Sequence, residues 1–128
     1  MVASLATRQA VRLSPRRFWR RFGRLEHVGL EFKASALRLQ ETVVAMAMAE
    51  GGAILVGVTD GRVLAGARLD QVLLDRLALV AYETDVALEV EQLLVGGTPV
   101  VLVRVPAVRT RLVTTSDGRL LRRVGASN

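Results

Sequence analysis

The sequence predicts an α+β domain: a mixed, largely antiparallel sheet with two packed helices, preceded by a basic N-terminal helical arm. Three observations predict it. Apolar runs of strand length recur at residues 28–33, 53–59, 88–95 and 100–105, either alternating with polar residues or nearly continuous. Two longer stretches, residues 37–49 and 69–82, space their apolar residues as one face of a helix does. Gly51-Gly52, Asp60-Gly61 and Gly96-Gly97 punctuate the runs where the chain must turn. At 128 residues the chain can bury one core and not two. Residues 25–128 therefore read as the domain and residues 1–24 as the arm.

Within the arm, Ser14-Pro15 opens a helix, Ser as N-cap and Pro at the first helical position, and Gly23 closes it. Phe18 and Phe22 lie four apart and share a face flanked by Arg16, Arg17, Arg20 and Arg21. Three readings of this segment stand. Its aromatics pack on the domain and its arginines face solvent, or it is a nucleic-acid arm, or it is an Arg-rich targeting presequence. In the first strand Val28, Leu30 and Phe32 alternate with Gly29, Glu31 and Lys33, which sets Glu31 and Lys33 opposite the apolar face. Counting back by twos from Glu31 reaches His27, so Glu26 leaves that face unless a bulge or bend intervenes at Gly29.

Leu39, Val43, Met46 and Ala47 make the stripe of the first domain helix, which Glu50-Gly51-Gly52 ends. Residues 53–59 form a central strand, and Asp60-Gly61 a two-residue hairpin into Val63-Leu64-Ala65. The second helix turns Leu69, Val72, Leu73, Leu77 and Val80 inward. Two strands joined at Gly96-Gly97 follow, and Pro106 stops the second because it has no ladder donor. Residues 105–115 read as an exposed loop or edge, Ser116-Asp117-Gly118 as a turn, and residues 120–124 as a last short strand.

Composition narrows the chemistry. Absence of Cys removes disulfides, thiolate metal sites and a Cys nucleophile, and fits a reducing, cytoplasmic setting. A single histidine, His27, excludes His-rich metal sites and reads as a partly exposed strand residue. No apolar window is long enough for a membrane span, so no membrane partner is expected. Charge is segregated around a net +6. Residues 1–25 hold seven Arg and no acid, residues 26–103 hold five basic and eleven acidic groups, and residues 104–128 hold six Arg and one acid. Separate basic and acidic regions imply separate surface roles.

Glu26, Glu31 and Asp60 are the candidate carboxylates, because a hard divalent cation takes several carboxylate oxygens and activates water for phosphodiester hydrolysis. Asp60 reaches Glu31 if the first strand neighbours the 53–59 strand, and Lys33 then stands ready for a phosphate. Asp before Gly is equally ordinary hairpin chemistry. Gly51-Gly52 is not a phosphate loop: it follows a helix, precedes a strand, and no Lys-Ser/Thr comes after. Arg104, Arg109, Arg111, Arg119, Arg122 and Arg123 lie on strands and turns of one sheet region, as a solvated edge or a surface for nucleic-acid backbone.

These residues fall in one ordered pattern: Glu26, Glu31-Phe32-Lys33, Ala45-Met46-Ala47-Met48-Ala49-Glu50-Gly51-Gly52, Val56-Gly57-Val58-Thr59-Asp60, Gly66, and Arg123-Val124-Gly125-Ala126-Ser127-Asn128. In that pattern the chain resembles the Schlafen-type AlbA-like domain family over residues 24–128. It departs at Met48, where the family carries Asn. The resemblance implies an α+β nucleic-acid-binding domain. In some members three acids form a divalent-metal endoribonuclease site acting on structured RNA, and the matching positions are Glu26, Glu31 and Asp60, with Lys33 beside them. The function expected is nucleic-acid binding, DNA or RNA, with backbone contacts from Lys33, Arg16, Arg17, Arg20, Arg21, Arg109, Arg111, Arg122 and Arg123. The alternatives are a metal-dependent endoribonuclease, with Mn or Mg on Glu26, Glu31 and Asp60, and a protein-interaction or homodimerisation module. No cofactor is called for outside the nuclease alternative.

Overall fold

The computed structural model describes residues 5–127; the first four residues of the expected arm and Asn128, the last of the ordered pattern, lie outside the described residues. Its elements run β1 (Leu5–Leu13), α1 (Pro15–Phe22), β2 (Leu30–Lys33), α2 (Leu39–Ala47), β3 (Gly52–Val56), α3 (Gln71–Thr84), β4 (Leu88–Val95) and β5 (Thr98–Val105). The five strands form one sheet in the order β1-β4-β5-β3-β2. The α+β class and the mixed sheet are as expected. The antiparallel majority is not: β1–β4 and β2–β3 pair parallel, β4–β5 and β3–β5 antiparallel. Parallel neighbours need a crossover, and α2 supplies it between β2 and β3.

Period-two alternation divides the core between the two sheet faces. On β5, Val101, Val103 and Val105 meet α2 and α3 together with Ile54, Val56 and Val90. Val100 and Leu102 point the other way, into a second cluster with Leu55, Leu93 and Phe18 of α1. In α2 the expected stripe of Leu39, Val43, Met46 and Ala47 is buried throughout. α3 begins two residues later than expected, with the Asp70 carboxylate accepting from the Leu73 amide as its N-cap. That start sets a phase of Leu73, Leu77, Val80, Ala81 and Thr84, and it leaves Val72, expected inward, 72% exposed.

The N-terminal segment is not a free helical arm. Residues 5–13 are an edge strand hydrogen-bonded beside β4. Ala, Arg and Gln are weak strand formers, and arginines suit an exposed edge that must not pair further. The helix itself forms as expected: the Ser14 side chain accepts from the Arg17 amide, Pro15 opens it, and Gly23 ends it at φ 82°. Phe18 is fully buried while Arg16, Arg17, Arg20 and Arg21 stay exposed, which is the first of the three readings of this segment.

Three smaller expectations also change. β2 starts at Leu30, because His27 and Leu30 exchange both backbone hydrogen bonds across a tight turn at Val28-Gly29. Asp60-Gly61 is part of a three-residue hairpin loop whose left-handed residue is Arg62, at φ 64°. Residues 120–124 are not a strand; the Arg123 amide binds the Ala45 carbonyl of α2, and a side chain rather than a ladder anchors the segment. The Gly96-Gly97 turn, the stop before Pro106 and the Ser116-Asp117-Gly118 turn are as expected. No helix among the described residues is long and apolar enough to cross a membrane.

Candidate nucleic-acid interface

The turn at Val28-Gly29 brings Glu26 back alongside β2, where its Oε2 accepts from the Phe32 amide at 2.9 Å. The two glutamates therefore become neighbours although a straight strand would separate them. Gly51-Gly52 makes room for this. A Cβ on Gly52 would stand 2.5 Å from the Gly29 carbonyl oxygen, and one on Gly51 would stand 2.6 Å from that of Val105. Gly52 is thus the close-approach residue that seats β3 against the Glu26 turn, with Ala53 donating to Gly29 at 2.9 Å, while Gly51 lets the chain pass close to the end of β5.

Beneath the glutamates lies Arg123, with 0% of its side chain exposed. Its guanidinium donates to the carbonyls of His27 at 3.1 Å and Leu30 at 2.9 Å, and pairs with Glu31 Oε1 at 2.8 Å. Burial raises the Glu31 pKa, and although Arg123 pulls it down, the nearby Glu26 adds to the rise. His27 stays exposed at the turn, its Nδ1 accepting from the Gly29 amide.

Asp60 sits exposed at the hairpin tip. With Glu31, Lys33, Ser35 and Thr59 it lines an open cleft of about 510 Å³ at the C-terminal end of β2. Arg62 secures the tip by donating to the carbonyls of Asp60 and Arg24. Its guanidinium also lies 4.6 Å from the Phe32 ring centroid, Trp19 meets that ring edge-on, and Arg24 covers Trp19 at 4.4 Å. No pattern in the sequence singles out Arg62 or Arg24; five positions separate Arg24 from Trp19, which is no helical or strand neighbour.

The carboxylates as placed do not fit a ready three-acid metal site. Glu31 is engaged by Arg123 and Glu26 by a backbone amide. Glu26 lies outside the cleft that Asp60 lines. Among the described residues no three His, Cys, Asp or Glu side chains stand together closely enough to hold a cation. Met48, in place of the family Asn, packs against the core and accepts from the Val113 amide through Sδ at 3.2 Å, which docks the C-terminal loop.

The two basic ends of the sequence differ in three dimensions. At the C-terminal end Arg104 pairs with Glu91, Arg111 with Asp85, Arg119 with Glu41 and Asp117, and Arg123 with Glu31. Arg123, expected to contact nucleic acid, is interior, and only Arg109 and Arg122 of that set are exposed without an acidic partner among the described residues. At the N-terminal end Arg8 pairs with Glu89. Arg12, Arg16, Arg17, Arg20, Arg21 and Arg24 are all exposed, and among the described residues none has an acidic partner. Of the two ends, the N-terminal one therefore holds the more uncompensated positive charge, on α1 and its flanks.

Residues 26–128 match the family model described as Schlafen, AlbA_2. No curated protein and no solved structure matches the chain.

Proposed function

This chain belongs to the Schlafen, AlbA_2 family, and from that premise we propose that it is a nucleic-acid-binding domain that holds the phosphate backbone of DNA or RNA. The observation that carries the reading is a group of exposed arginines that have no acidic partner among the described residues, chief among them Arg16, Arg17, Arg20 and Arg21 on α1, with Arg109 and Arg122 near the other end of the chain. Lys33 adds a cation at the mouth of the Asp60 cleft. Arginine suits this role because its planar guanidinium stays charged and presents paired donors to phosphate oxygens.

Affinity for labelled DNA and RNA, measured by fluorescence anisotropy over a salt series, is expected to fall linearly on a log–log plot as counterions are released. Absence of binding at low salt, or binding indifferent to salt, would sink the reading. The endoribonuclease alternative asks Glu31 to leave Arg123 and join Glu26 and Asp60 around a cation, which is not the arrangement they adopt. Structured RNA incubated with the protein and Mn is therefore expected to remain intact. Mn-dependent cutting that Asp60→Ala abolishes would establish the nuclease instead.

A further inference from the structure

We propose that α1, with Arg24, is an added clamp for the backbone of double-stranded nucleic acid; this rests on the binding reading above and narrows its ligand. The family match begins at residue 26, so β1 and α1 precede it. Yet α1 is seated as part of the fold: Phe18 is wholly buried, Ser14 caps the first turn, and Gly23 ends the last. A firmly seated helix fixes the places on the surface from which its outer side chains reach out.

At 3.6 residues per turn, Arg16, Arg20, Arg17 and Arg21 spread over an arc of about 140°. Phe18, Phe22 and Trp19 occupy the remaining side, turned toward the sheet. None of the four arginines has an acidic partner among the described residues, so each guanidinium keeps its donors for a ligand oxygen.

The same aromatics decide which nucleic acid fits. Binders of single strands stack bases on open aromatic faces. Here Phe18 is interior, Trp19 is wedged edge-on between Phe18 and Phe32, and Arg24 covers its ring at 4.4 Å. Arg21 lies over the Phe22 ring at 4.8 Å. Tyr82 is exposed, but it lies on α3, across the sheet from α1. With no open ring beside the arginines, attraction comes from phosphate charge, and a duplex carries charge more densely along its axis than a strand does. Recognition of this kind is blind to base sequence.

The test compares the full chain with its Arg16→Gln/Arg17→Gln/Arg20→Gln/Arg21→Gln variant by anisotropy. The probes are a labelled DNA duplex, an RNA duplex and their component strands, each over a salt series. Circular dichroism and thermal unfolding show that the variant keeps the fold, as replacement of exposed side chains should allow. Expected are tighter binding of duplexes than strands by the parent chain, and a salt slope shallower by about 3 to 4 in the variant. Preference for strands overturns the inference. So does an unchanged slope in the variant, which leaves nucleic-acid binding intact but places it elsewhere on the surface. Failure of the parent chain to bind any probe overturns this inference and the binding reading together.

Discussion

Replacing Arg123 by Met would leave the carbonyls of His27 and Leu30 and the Glu31 carboxylate without their shared donor. Removing one member of a buried pair typically costs about 3–5 kcal/mol, because the other is left uncompensated. Denaturant unfolding of Arg123→Met should show a loss of that size, and a loss under about 1 kcal/mol would mean that water reaches the orphaned carboxylate and carbonyls in its place. Glu31 gives a second prediction, with a definite sign. Its folded pKa is raised, chiefly by burial, so between its unfolded value near 4.5 and the higher folded one the native state binds more protons than the unfolded state. Stability from this group therefore rises as pH falls through that window and is lost as pH rises above the folded pKa. Glu31→Gln cannot titrate, so the stability difference between parent and variant should change across the window; a constant difference would contradict the raised pKa.

At the scale of elements, α1 holds its arginines in place chiefly through Phe18, with Trp19 and Phe22 packed beside it. Phe18→Ala removes a fully buried ring from the Leu55, Leu93 and Leu102 cluster, and such truncations cost about 3–5 kcal/mol. Unfolding of the variant should show that loss, and its affinity for nucleic acid should fall although every charge is retained. The helix was legible because Ser14, Pro15 and Gly23 are local signals, and α2, β4 and β5 were legible because their apolar periods are long and regular. β1 was not, since an edge strand of weak strand formers is defined by its neighbour β4 and not by its own composition. The Glu26 turn was legible only as a condition, a bend at Gly29, because the contact that holds it comes from Gly52, far along the chain. Arg123 could be read as basic, but its burial depends on α2 and β2 closing over it.

For the molecule as a whole, the boundary of the family match and the boundary of the folded body differ. The match starts at residue 26, whereas β1 and α1 complete the sheet and cover one of its faces. Deleting residues 1–25 would uncover the β4 edge, leaving backbone donors and acceptors unpaired. It would also strip Phe18 and its neighbours from Leu55, Leu93, Val95, Val100 and Leu102, leaving an apolar patch open to solvent. The shortened chain is therefore expected to unfold at a clearly lower temperature and to associate, as light scattering would report. Association should persist at high salt, since it would be driven by apolar area and not by charge. If the deleted chain instead remained monomeric with unchanged unfolding, α1 would be an appendage after all, and its arginines would lack the fixed seating on which selective capture of duplex phosphates depends.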